Sequence, residues 1–238
     1  MGGVAFADWD VSQPAIYYQL PESGSDGWDV YSEWQYGVAD DWTAETTTDI
    51  TDIHFWGSWR NDWVGDMGVL YIQIFENDSL TNKPGNQVWD GTFDNHDTNP
   101  NNNYIPSATY IQSAEAMGFL DPRGTDSHIH DDHYKIWQYN INTIEDPFEQ
   151  QAGQTYWLEI SSNYVGCDWG WTISSESNNG AGAVFYDRVG CWGYGWQRLK
   201  EPDTWREPLG MAFVLTPEPA TLLLLAAGAA VALRRRRS

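Results

Sequence analysis

Hydrophobic and polar positions alternate with a period of two along most of this chain. Residues 154–161 place Tyr156, Leu158 and Ile160 on one face, the pattern of a strand with one buried side. Residues 134–141 alternate as well, with Ile136, Gln138 and Asn140 opposite Lys135, Trp137, Tyr139 and Ile141. In residues 50–59, Ile53, Phe55 and Gly57 share a face, and residues 68–75 are nearly all apolar or aromatic, which reads as a central strand. Residues 169–174, 183–186 and 209–215 complete the set, and Gly, Asn, Asp and Pro separate the stretches. Helical periodicity is confined to residues 107–119, where the pattern predicts a short helix, and to the C-terminal tail. Residues 90–106, with Asn99-Pro100-Asn101-Asn102-Asn103, read as a long polar loop. Many short strands joined by turns predict an all-β domain, a jelly-roll-like β-sandwich followed by a C-terminal hydrophobic helix.

The pattern changes after Thr216. An apolar run of 14 residues, 220–233, is followed by Arg234, Arg235, Arg236 and Arg237. As a helix it spans about 21 Å at 1.5 Å per residue, against a bilayer core of about 30 Å. The arginines would stay cytoplasmic and leave everything before the tail outside. Pro217-Glu218-Pro219, a short hydrophobic helix and an arginine cluster, in that order, resemble the PEP-CTERM sorting signal. The resemblance implies recognition by an exosortase, a membrane transpeptidase-like cysteine protease, in a bacterium that makes exopolysaccharide or biofilm. It also implies a cell-surface or extracellular location, with membrane contact through the helix. At the other end, Ala5-Phe6-Ala7 fits the small-x-small pattern of a signal-peptidase site. The expected organisation is a signal-peptide remnant at 1–7, a β-sandwich domain at 8–215 and a sorting tail at 216–238.

A second resemblance covers most of residues 36–216. Ala39-Asp40-Asp41-Trp42 and residues 50–59 resemble the opening of an uncharacterised family of secreted bacterial sandwich domains, common in planctomycete-type proteins with such tails. Ile136-Trp137-Gln138-Tyr139, Asp146-Pro147-Phe148, Thr155-Tyr156-Trp157-Leu158, Gly170-Trp171 and Met211-Ala212-Phe213-Val214-Leu215 follow in order. The family carries no established activity. The loop at 91–103 and the two cysteines are not among its features.

Charge narrows the partners. The formal net charge is −22, which repels nucleic acid and anionic lipid and suits divalent cations, neutral sugars or basic partners. Cys167 and Cys191 are the two cysteines. An oxidising compartment favours a disulfide between them, closing a loop of about 25 residues worth on the order of 3 kcal/mol; two buried free thiols are the alternative.

Fifteen tryptophans and thirteen tyrosines exceed what one core of this size needs, so some rings are expected at the surface, where an apolar face and a polar edge suit sugar binding. Trp56, Trp59 and Trp63 are closely spaced, and Trp169, Trp171, Trp192, Tyr194 and Trp196 cluster around the cysteines. These last five are the candidate glycan platform, with core filling as the alternative. His128, His130 and His133, with Asp132, form the densest metal-capable group. His128 and His130 point the same way on an extended chain, and imidazole suits zinc, copper or nickel. Asp90, Asp94, Asn95 and Asp97 offer oxygen ligands for calcium, although the spacing is not that of an EF-hand. No nucleophile elbow, His-Glu-x-x-His, P-loop or dinucleotide fingerprint occurs, so no catalytic residue and no required cofactor is nominated. The leading expectation is a non-catalytic matrix or glycan-binding module, with extracellular polysaccharide as partner. A secreted polysaccharide hydrolase working through two carboxylates and a structural surface domain are the alternatives.

Overall fold

The computed structural model describes residues 9–94, 110–122, 128–142, 144–163, 169–174, 180–188, 195–203 and 209–217. In chain order the strands among them are β1 (Tyr17–Gln19), β2 (Trp28–Tyr31), β3 (Tyr36–Thr43), β4 (Thr48–Ile50), β5 (Asp52–Trp59), β6 (Val69–Asp78), β7 (Lys83–Asp94) and β8 (Tyr110–Leu120). They continue with β9 (His128–Ile141), β10 (Phe148–Gln150), β11 (Thr155–Ser162), β12 (Trp169–Ser174), β13 (Val184–Asp187), β14 (Trp196–Arg198), β15 (Gly210–Met211) and β16 (Phe213–Thr216).

Two large sheets form a β-sandwich, as the alternation predicts. The larger runs β1-β16-β5-β9-β8-β2-β12-β15, and β12 also pairs with the far end of β5. That last pairing, Trp169↔Trp59 to Trp171↔Gly57, closes β5, β9, β8, β2 and β12 into a ring. The smaller sheet runs β14-β13-β3-β11-β6-β7, and β4 and β10 form a separate short pair. Apolar residues from the facing sides meet between the sheets: Phe55, Trp169, Trp171 and Phe213 from the larger, Trp42, Ile72, Leu158 and Ile160 from the smaller. Trp169 crosses Phe55 edge-on at 6.1 Å, and Phe55 stacks on Tyr139 at 5.2 Å. The opposite side of the larger sheet is also covered, by Trp9, Trp56, Met117, Ile136 and Val214. Such double burial explains why β12 is buried at every position.

Two expectations change. Residues 107–119 do not form a helix where they are described: Tyr110–Leu120 is β8, paired with β9 and, in parallel, with β2. The Ala-Glu-Ala-Met stretch favours a helix locally, and pairing on both edges overrides that preference. The polar loop also begins later than expected, because residues 90–94 belong to β7, with Asp90 opposite Gln73 and Phe93 opposite Leu70. Phe93 is buried in the core and fixes that register.

Residues 1–8 and 218–238 lie outside the described residues, as do Cys167 and Cys191 and therefore their expected disulfide. Among the described residues no helix is long and apolar enough to cross a membrane.

Candidate functional site

The smaller sheet turns one face to the core and the other away from it. Leu70, Ile72 and Ile74 of β6 and Tyr156, Leu158 and Ile160 of β11 point inward. Strand alternation then sends Tyr71, Gln73 and Phe75, with Trp157 and Glu159, to the outer face. Register brings distant residues beside them: Glu159 lies opposite Ala39 on one side and Gln73 on the other, and Tyr186 lies between Gly37 and Trp196.

Arg188, just past the end of β13, organises this face. Its Nη2 donates to Glu159 Oε1 at 2.7 Å and Oε2 at 2.9 Å, and its Nη1 donates to the Trp34 carbonyl at 2.7 Å. The guanidinium carbon stands 4.8 Å from the centre of the Trp34 ring and 5.5 Å from that of Tyr186, within cation–π range. Further rings extend the row on both sides. Trp34 meets Tyr71 at 5.5 Å, Tyr186 meets Trp196 at 5.2 Å, and Trp196 meets Phe75 at 5.6 Å. The result is an aromatic strip, Tyr71–Trp34–Tyr186–Trp196–Phe75, clamped near its middle by one cation. Trp34 is 46% exposed, while Tyr71, Tyr186 and Trp196 are half-buried. Glu159 is fully buried; burial pushes its carboxyl above the ordinary range, and Arg188 opposes that rise. A polar ladder flanks the strip, with Gln73 Nε2 donating to Gln87 Oε1 at 2.8 Å and Gln87 Nε2 to Asp90 Oδ1 at 3.0 Å.

The candidate platform read from the sequence is not assembled as expected. Trp169 and Trp171 are wholly buried between the sheets, because β12 closes the ring and its odd positions face the core. Trp196 lies on the smaller sheet, away from both. Trp192 and Tyr194 fall outside the described residues, in the connection between β13 and β14. Of the other spaced tryptophans, Trp56 and Trp59 are buried and Trp63 is 78% exposed. The residues that sequence reasoning missed, Trp34, Tyr71, Glu159, Tyr186 and Arg188, come from separate segments and share a face only through strand register.

Asp90 is exposed on the outer face of β7, in a strand and not a loop; Asn95 and Asp97 lie outside the described residues, as does the side chain of Asp94. The three histidines divide. Between Ile129 and His133, β9 takes four steps while β8 takes two from Phe119 to Met117, and Asp131 carries φ 53° there. This bulge leaves His128 and His130 together and turns His133 into the ring. His133 Nε2 contacts Asp29 Oδ2 at 2.7 Å and Nδ1 contacts Asp132 Oδ2 at 3.1 Å; Asp29 also accepts from Thr172 Oγ1 at 2.5 Å. Both ring nitrogens face carboxylates, so both act as donors and the ring is an imidazolium. Burial works against that charge, and Asp29 with Asp132 outweighs it, raising His133 to about 9. Neither His133 nor Asp132 therefore completes a metal site with the other two histidines. Asp203 takes that place: ligand atoms of His128, His130 and Asp203 all lie within 4.8 Å of one another.

Comparison with curated proteins and with solved structures gives no match. A PEP-CTERM protein-sorting motif matches residues 215–237, which makes the chain an exported, surface-associated protein handled by exosortase. The family described as Domain of unknown function (DUF7901) matches residues 15–216. That match spans both sheets and the aromatic strip, and the chain belongs to this family.

Proposed function

We propose that this protein is a non-catalytic extracellular module that binds neutral polysaccharide through the outer face of the six-stranded sheet. The observation that carries the reading is the strip of rings fixed by Arg188 on the buried Glu159. Sugar rings present C–H faces that stack on such surfaces, and the Gln73–Gln87–Asp90 ladder supplies donors and acceptors beside them. Pre-set rings reduce the ordering cost of binding. The net charge of −22 disfavours polyanions and leaves uncharged sugars as the fitting class. The non-catalytic reading is supported by the state of the carboxylates with raised pKa: Asp40, Asp41 and Glu159 are buried and engaged with protein donors. The apolar run at 220–233 inserts into the membrane in this reading, with Arg234–Arg237 on the cytoplasmic side, so that the domain is presented at the surface.

The test is a glycan array probed with the full chain in a non-glycosidic detergent, followed by calorimetry on the glycans retained. Trp34→Ala and Trp196→Ala are expected to weaken binding about tenfold or more, on the order of 1.4 kcal/mol. Trp34 is the cleaner probe because its ring is half in solvent. Absence of retained glycans, or affinities unmoved by both substitutions, would overturn the reading. Trp169→Ala is uninformative here, since removing a wholly buried tryptophan costs roughly 3–5 kcal/mol of stability.

A further inference from the structure

We propose that His128, His130 and Asp203 form a binding site for a divalent transition-metal ion, away from the aromatic strip. His128 and His130 stand two residues apart at the start of β9 and present their rings to the same side, 5.6 Å apart. His130 Nε2 lies 3.2 Å from Asp203 Oδ1. Four-coordinate zinc with ligand bonds of about 2.0–2.1 Å places neighbouring ligand atoms roughly 3.3 Å apart, so this pair already has the separation the ion needs. The ligand atoms of all three lie within 4.8 Å of one another, and His130 and Asp203, with side chains 52% and 49% exposed, have room to adjust onto one ion. Among the described residues His128 makes ring contacts only, leaving its nitrogens available as ligands. Two imidazoles and one carboxylate suit zinc, copper or nickel better than calcium or magnesium, and three protein ligands leave a fourth position for water.

The surroundings hold these ligands in place. Trp28, 1% exposed, packs edge-on against both imidazoles, at 6.1 Å from His128 and 5.0 Å from His130. The Asp203 backbone N–H donates to Glu201 Oε1 at 3.1 Å, and Glu201 is itself buried. An outer carboxylate thus fixes the turn that presents Asp203, the kind of support that tunes metal affinity. An ion here would tie the bulged end of β9 to the segment at 201–203, and so stabilise the fold by mass action.

The test uses the full chain, stripped with a chelator and titrated with zinc by calorimetry, then with cobalt(II) by visible absorption to report coordination geometry. One equivalent of zinc is expected to bind, with a rise in unfolding temperature that chelator reverses. His130→Ala and the His128→Ala/Asp203→Asn pair are expected to weaken binding at least about tenfold. All are near-surface or conservative changes, and an unchanged circular dichroism spectrum checks that each variant folds. No heat of binding, or binding of the same strength in the His128→Ala/Asp203→Asn variant, would overturn the site.

Discussion

Arg188 donates to a carboxylate wholly removed from solvent and lies within cation–π range of the Trp34 and Tyr186 rings. Removing it leaves Glu159 buried with its main counter-charge gone, and breaking a buried pair in this way costs roughly 3–5 kcal/mol. Glu159 has an escape, because burial already pushes its carboxyl up and the loss of Arg188 removes what opposes that rise, so taking up a proton relieves part of the cost. Arg188→Ala is therefore expected to lose about 3 kcal/mol at pH 7 and clearly less at pH 5, as read by urea unfolding at the two values. An equal loss at both would mean that packing of the guanidinium stem, and not charge, is what the variant removes. Gly37 belongs to the same unit. A Cβ there would fall 2.0 Å from Glu159 Oε1 and 2.7 Å from Arg188 Nη1, so the glycine is what lets the ion pair settle over β3.

At the scale of elements, β8 and β9 show where sequence patterns suffice and where they fail. The second half of β9 was legible, since Trp137, Tyr139 and Ile141 alternate cleanly against Ile136, Gln138 and Asn140 and the structure uses both faces. β11 was legible for the same reason. β8 was not, because Ala114, Glu115, Ala116 and Met117 carry helical propensity and the strand is imposed by its two neighbours. The histidines were half legible: period two pairs His128 with His130, but the bulge at Asp131 decides where His133 goes, and Asp203 comes from a distant part of the chain. Trp169 and Trp171 could not be assigned to core or surface before it was known that β12 closes the ring. Gly118 offers a direct check on that imposed strand. A Cβ on it would lie 2.4 Å from ring atoms of Trp28, an indole that is itself 1% exposed. Gly118→Ala, which raises helix propensity, is expected to destabilise by roughly 1–3 kcal/mol through overpacking. A stabilised Gly118→Ala in denaturant titrations would contradict the close packing of β8 on β2.

At the scale of the whole molecule, two buried groups, Asp40 and His133, pull in one direction. Asp40 lies between the sheets and accepts from Gln19 Nε2 at 2.9 Å and the Met211 N–H at 2.7 Å; burial, with the neighbouring Asp41 charge, raises it to about 7. His133 sits inside the ring, where burial opposes its charge but Asp29 and Asp132 prevail and raise it to about 9. In both cases the folded state holds a proton that the unfolded chain gives up sooner, so stability falls as pH rises. For Asp40 the contribution is complete below its ordinary value of 3.8 and is lost through about pH 7. For His133 it is complete below 6.5 and is lost through about pH 9. Self-repulsion of a chain with net charge −22 grows over the same range as further protons leave. The unfolding temperature is therefore expected to fall steadily from pH 5 to pH 9.5, by scanning calorimetry in buffers of constant ionic strength. Asp40→Asn should flatten the lower part of that fall and His133→Gln the upper part. A stability that climbs between pH 5 and pH 8 would mean that neither group holds its proton in the folded domain. The direction matters for an exported acidic module, because mild acid keeps the protons on Asp40 and His133 and so preserves the part of the stability that these two buried groups supply.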